Sequence, residues 1–340
     1  MGGGRIVSNR HIALQILGTG EYIPPNLVAS EDLDERLGKP SGWVFEHTGV
    51  ATRAFAGAAD NTITMGAKAA RSALGSAGID AHELDAIISV GSVPYQAIPC
   101  TAAFLQRELD LAESGIPAFD INATCLGFLV ALDLVSQAIS TGRFHTVLIV
   151  ASEPASVGLN WDDPLTAGLF GDGAAAIVVG SARRPESFLL ASHMQTYSAG
   201  IEFCQIRAGG SGLSPRLNPE AAFAGAVFEM QGRQAYKFAA EYLPAFIANL
   251  LQLAEIRYEA IDFWIPHQAS GRAVEHLRHT LDIPTERIAL TLRSLGNQVS
   301  ASLPIALHRT LAAGQVQQGS TVALVGLGAG LALGGAILRL

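Results

Sequence analysis

Apolar runs alternate with amphipathic stretches along the chain, and the alternation occurs twice. Residues 120–153 (DINATCLGFLVALDLVSQAISTGRFHTVLIVASE) begin as a polar approach and become an apolar-rich helix. That helix stops at Gly142, and a run of Val, Leu and Ile follows, which reads as a buried strand. Residues 290–330 (LTLRSLGNQVSASLPIALHRTLAAGQVQQGSTVALVGLGAG) have the same order of features and stop at Gly314. Upstream of each lies another matched pair, 77–94 (AGIDAHELDAIISVGSVP) and 254–270 (AEIRYEAIDFWIPHQAS), each a helix end, a turn and a buried strand. Each half also ends in a segment that reads as a Gly-rich hairpin, 169–180 and 326–340.

The repeat predicts a duplicated α/β chain of layered sheets and helices, with mostly parallel sheets. Aligning Gly142 with Gly314 sets an offset of 172 residues, which places Cys125 on Asn297. A polar, Pro-containing stretch at 181–186 (SARRPE) divides the halves into 1–180 and 181–340. The uncharged segment 321–338 has the length of a membrane span. Its glycines break it up, so it reads as two buried strands joined by a turn.

Composition narrows the function. The chain has 340 residues, 49% of them hydrophobic, with a formal net charge of -8. No Lys/Arg run is present, which argues against a nucleic-acid partner. Cys100, Cys125 and Cys204 are an odd, widely spaced set, which points to a reducing, cytoplasmic compartment with neither zinc nor disulfides. The first residues contain neither a signal peptide nor a myristoylation motif.

Three places carry candidate chemistry. Cys125 stands where the polar approach becomes a helix, with cap-type Asn122 and Thr124 before it. A thiol there faces the positive end of the helix, which lowers its pKa and favours the thiolate. Alone, such a cysteine is as often a buried structural thiol. His267 (WIPHQAS) follows a buried strand, where open α/β sheets place ligands; alone, it is more often a core or surface histidine. Asn297 (LGNQVSASLP) alone reads as a turn and cap. Together, a thiol, an imidazole and an amide make a nucleophile with two polar stabilisers.

At these residues the chain resembles the thiolase superfamily, and within it the β-ketoacyl-[acyl-carrier-protein] synthase III family. The resemblance covers nearly the whole chain and rests on DINATCLGF, FGDGAAA, HQAS, GNQVSAS and GLGAGLALGGAILRL in that order. It implies a thiolase-like five-layered αβαβα fold with two pseudo-twofold-related halves, and a homodimer. It also implies a Cys125, His267 and Asn297 site with an oxyanion hole from the backbone N–H groups of Cys125 and Ala329. The implied partners are acyl-CoA, which is a substrate rather than a cofactor, and malonyl-acyl carrier protein. The implied reaction is a decarboxylating condensation through an acyl-Cys125 thioester, giving 3-oxoacyl carrier protein in fatty acid synthesis.

Further residues match by resemblance. Trp43 matches a tryptophan that stacks on the CoA adenine, and Arg272 a basic residue that receives the carrier protein. Ile98 matches a residue, frequently Phe, that reaches into the partner's acyl pocket. Its smaller size implies a primer longer than acetyl. The pattern departs at His47 and Pro164, where CoA-side arginines are usual, and at Ser270, where HQAN is usual. A degradative thiolase needs a second cysteine in 326–335, and there is none. Plant-type polyketide synthases are longer chains. A non-condensing acyltransferase of secondary metabolism stays open as the alternative, and a catalytically silent binding partner is the remaining reading.

Overall fold

The computed structural model describes residues 11–340. Nine strands form its main sheet: β1 (Ile12–Tyr22), β2 (Ala86–Ser89), β3 (Ala118–Asp120), β4 (Thr146–Glu153), β5 (Gly173–Ser181), β6 (Phe188–Thr196), β7 (Phe263–Pro266), β8 (Thr321–Gly328) and β9 (Ala332–Arg339). Six helices pack on them: α1 (Thr62–Ala77), α2 (Thr101–Glu108), α3 (Gly127–Ser140), α4 (Gly232–Leu253), α5 (Gly271–Thr280) and α6 (Ser302–Ala312).

The strand order is β7-β8-β9-β6-β1-β5-β4-β2-β3. Read outward from the β6–β1 junction, the two halves repeat each other. In the first, β1 and β4 flank β5 antiparallel, and β2 lies parallel to β4. In the second, β6 and β8 flank β9 antiparallel, and β7 lies parallel to β8. The first half adds β3 parallel to β2; the second retains only a parallel bridge from Trp264 to Ile288. The halves touch edge to edge where Ile12 and Ala13 pair with Leu189 and Phe188.

The expectation of mostly parallel sheets needs correction, because both are mixed. In each half the last strand returns antiparallel beside its predecessor instead of crossing over a helix. The segment 169–180 is likewise one strand with its lead-in, not a hairpin. Residues 321–339 do fold back as a β8–β9 hairpin, with Gly330 at φ +81° in the turn. Among the described residues, no helix is long and apolar enough to cross a membrane.

Burial on both strand faces explains the apolar runs. Val147, Ile149 and Ala151 of β4 face a central cluster, while Leu148 and Val150 face α1 and α2. In β8, Val322 and Leu324 join the same central cluster, while Ala323 and Val325 face α4 and α5. Phe128, Leu132 and Val135 of α3 and Leu303, Ile305 and Leu307 of α6 fill that centre. The result is five layers, αβαβα, with α3 and α6 as the buried middle.

Candidate active site

The helix starts of the middle layer carry the site, and the two starts are built alike. The Asn122 side-chain carbonyl accepts the Thr124 N–H at 3.1 Å, and that of Asn297 accepts the Val299 N–H at 2.8 Å. Thr124 and Val299 then take positive φ, +49° and +51°, and each opens a short 3-10 turn, Thr124–Leu126 or Val299–Ala301. This corrects the uniform offset. Asn122 is the counterpart of Asn297, and Cys125 is the counterpart of Ser300. The cause is length: α6 has 11 residues and α3 has 14, so aligning the C-terminal glycines shifts the starts by three positions.

Cys125 therefore sits in the 3-10 turn, with the α-helix beginning at Gly127. Its thiol pKa is not lowered as the helix start suggests; it is pushed up to about 12. Burial is the main cause, and repulsion from the nearby Glu153 carboxylate adds to it. The backbone N–H groups of Ala329 and of Cys125 itself oppose the rise. Desolvation exceeds what those dipoles return, and the resting group is a neutral thiol.

His267 follows β7 directly, and its backbone N–H continues the β7–β8 pairing by donating to Val325 O at 2.8 Å. The same bond sets the residue beside the β8 backbone. His267 is 5% exposed, its Nδ1 has no hydrogen-bond partner among the described residues, and burial holds its pKa down to about 4. The ring is neutral at physiological pH. Leu126 Cδ2 and His267 Cβ both crowd Gly326, where an added Cβ would stand 2.9 and 3.1 Å from them. The Cys125 turn and the His267 strand end thus meet at one glycine.

Asn297 is also 5% exposed and donates from Nδ2 to Ala269 O at 3.3 Å, which ties it to the HQAS segment. Its backbone is held in turn: Asn297 N donates to Leu169 O at 3.0 Å, and Gly171 N donates to Asn297 O at 3.1 Å. Buried Gln268 braces the approach by accepting the N–H groups of Thr291 and Leu292 at 3.1 and 3.0 Å. Ser270, in place of the usual Asn, caps α5 by accepting the Ala273 N–H at 3.2 Å.

The remaining candidates lie further out. Ala329 is in the β8–β9 turn, and Thr124 Oγ1 donates to its carbonyl at 3.5 Å. Trp43 opens the short helix Trp43–Thr48 and stacks on His47 with centroids 4.1 Å apart. Arg272 is exposed near the start of α5, and Ile98 is 83% exposed on the loop before α2.

Glu153 had no place in the sequence reading. It ends β4 fully buried and accepts from Ser92 N at 2.7 Å, Val93 N at 3.1 Å, Ser300 N at 3.3 Å and Ser300 Oγ at 2.6 Å. Burial raises its pKa. A carboxylate ending an apolar strand was the available signal, since so polar a group is rarely buried without several donors.

Two matches place the chain. Residues 119–198 match the family described as 3-oxoacyl-[acyl-carrier-protein (ACP)] synthase III, and residues 251–340 match its C-terminal part. The β-ketoacyl-[acyl-carrier-protein] synthase III of Methylococcus capsulatus is 34% identical over 325 residues, covering 96% of this chain and 98% of that protein. The crystal structure of the Aquifex aeolicus VF5 3-oxoacyl-[acyl-carrier-protein] synthase III superposes with a TM-score of 0.87 at 32% identity, covering 96% and 100% of the two chains. The priming β-ketosynthase of the R1128 polyketide biosynthetic pathway superposes with a TM-score of 0.88 at 27% identity, covering 99% and 98%. Sequence and fold agree over almost the full length, and the chain belongs to the 3-oxoacyl-[acyl-carrier-protein] synthase III family of acyl-transferring condensing enzymes.

Proposed function

We propose that the chain joins an acyl-CoA primer to malonyl-acyl carrier protein through an acyl-Cys125 thioester, releasing carbon dioxide and 3-oxoacyl carrier protein. One observation carries this reading: the Cys125 turn and the His267 strand end pack against the same glycine, Gly326, while Asn297 is tied to the His267 segment through Ala269 O.

In the first half-reaction the Cys125 sulfur attacks the thioester carbonyl, its proton leaves, and the CoA thiol departs protonated. The backbone N–H groups of Cys125 and Ala329 hold the oxygen that becomes negative in that step. In the second, malonyl loses carbon dioxide, and the C–C bonding electrons form an enolate. His267 and Asn297 donate hydrogen bonds to the enolate oxygen. A neutral imidazole suits this role because it donates without protonating the oxygen outright. The enolate carbon attacks the acyl-Cys125 carbonyl, the Cys125 thiolate leaves, and it takes up a proton from solvent. No cofactor takes part; acyl-CoA is a substrate.

Trp43 holds the CoA end, Arg272 receives the carrier protein, and Ile98 borders the acyl pocket of a second copy in a homodimer. The halves 1–180 and 181–340 supply the nucleophile and the two stabilisers respectively. Ile98 favours primers longer than acetyl, so hexanoyl- or octanoyl-CoA should exceed acetyl-CoA in kcat/KM. Acetyl-CoA winning that comparison rules the preference out.

Mass spectrometry after incubation with acyl-CoAs from C2 to C12 tests the intermediate. An acyl adduct should appear on Cys125 and vanish in Cys125→Ala. His267→Ala and Asn297→Ala should keep the adduct while condensation falls about 10²–10³-fold. Carbon dioxide release from malonyl-acyl carrier protein separates this reading from a non-condensing acyltransferase, which would release none.

A further inference from the structure

Strands β4 and β8 each run eight residues, which makes their last residues, Glu153 and Gly328, counterparts in the two halves. Each strand end meets the helix-start turn of the opposite half. At Gly328 that approach is bare backbone: an added Cβ would stand 3.0 Å from Thr124 Oγ1 and 3.1 Å from Leu126 Cγ. The reacting turn, with Cys125, thus closes on a strand end that has no side chain. At Glu153 the strand end instead carries a carboxylate. It grips Ser300, the counterpart of Cys125, through both the backbone N–H and Oγ.

Four donors converge on this one group. Glu153 Oε1 accepts from Ser92 N, Ser300 N and Ser300 Oγ, and Oε2 accepts from Val93 N. Glu153 and Ser300 are both fully buried. Residues Val147 to Ala151 of β4 are apolar, and an apolar last residue would avoid the cost of burying a charge. A carboxylate adds direction instead: it ties the loop after β2 and the turn of the second half to one point. That turn fixes Asn297. Asn297 Oδ1 accepts the Val299 N–H at 2.8 Å, and Ser302 Oγ donates to the same oxygen at 3.4 Å. With the oxygen held on that side, Nδ2 donates to Ala269 O and keeps one N–H for the enolate oxygen. An amide turned over would present its own oxygen to the enolate and repel it.

We infer that Glu153 is a positioning residue for condensation: through Ser300 it holds the Val299–Ala301 turn so that Asn297 presents Nδ2, not Oδ1, to the enolate. Glu153 itself touches no reacting atom. The inference rests on the proposed condensation and goes beyond it by naming what orients the Asn297 amide.

The test measures two half-reactions separately in Glu153→Gln, Ser300→Ala and the double variant. One is acylation of Cys125 by octanoyl-CoA; the other is condensation of the pre-acylated chain with malonyl-acyl carrier protein. Each single variant should lower the kcat of condensation about tenfold, the loss expected for a hydrogen bond to a charged group. KM for malonyl-acyl carrier protein should hold, and acylation should not fall. Because the two residues act through one contact, the double variant should lose no more than the worse single variant. Losses that multiply, equal losses in both half-reactions, or an unchanged condensation rate overturn the inference. Should Glu153→Gln fail to fold, Ser300→Ala decides by the same split between the half-reactions. Amide hydrogen exchange gives a readout independent of turnover. The Val299 N–H reports the bond to Asn297 Oδ1 and should exchange about tenfold faster in both single variants. If Cys125 takes no acyl group, the condensation reading falls. Faster Val299 exchange would then still assign the positioning of Asn297 to Glu153, and unchanged exchange would refute it.

Discussion

At the scale of single residues, the Cys125 thiol sets the terms. Its pKa of about 12 means that it is neutral below that pH, and only the thiolate alkylates. The rate of iodoacetamide alkylation should therefore climb about tenfold per pH unit from pH 7 to 10. A plateau near pH 7 would show instead that the helix-start dipoles win. Glu153 contributes to the high value through its charge, so Glu153→Gln should move the alkylation profile to lower pH. An unmoved profile would mean that burial alone holds the thiol up. The acylation proposed above would need the proton to leave only as the carbonyl is attacked. A thiol that stays neutral between turnovers is also the less exposed to oxidation and adventitious alkylation.

At the scale of elements, the site depends on two turns of unusual backbone. Gly296 lies at φ +69°, ψ −165°, and an added Cβ would stand 2.8 Å from Leu169 O. Gly296→Ala should cost about 1–3 kcal/mol of stability from backbone strain, with the clash added, and should lower condensation more than acylation because it displaces Asn297. Denaturant unfolding and the two half-reactions, measured separately, check this; equal losses in both would sink it. The same turns show what was legible in the sequence. The helix-strand alternation, the Gly142 and Gly314 stops and the position of His267 after FWIP all follow from apolar periodicity. The three-residue shortening of α6 does not, because both helices keep the same apolar face and the same glycine stop. The true match lies in side-chain-to-backbone bonds of Asn122 and Asn297, and in positive φ at Thr124 and Val299, residues whose branched side chains ordinarily avoid it. Glu153 was hidden for a related reason. Its donors come from residues 92, 93 and 300, which only the folded chain brings together.

At the scale of the whole molecule, the two edges of the nine-stranded sheet are unequal. Beside β7, the Ile288 bridge covers the margin. Beside β3 nothing is paired among the described residues, and the same side carries apolar exposure: Phe119 is 40% exposed, Tyr95 47% and Ile98 83%. An open strand edge flanked by large apolar side chains is a template for another strand. A second copy satisfies it by symmetry, and would also give Ile98 an apolar surface to enter. Light scattering should then report twice the 35.5 kDa chain mass at micromolar concentration. Phe119→Lys places a charge on the edge and should shift the chain toward monomer. Because Ile98 would then border no partner pocket, the same variant should lose discrimination between acetyl- and octanoyl-CoA while still forming an acyl-Cys125 adduct. A wild-type chain that stays monomeric, or a Phe119→Lys dimer with unchanged mass, would place the association surface elsewhere and separate Ile98 from primer choice.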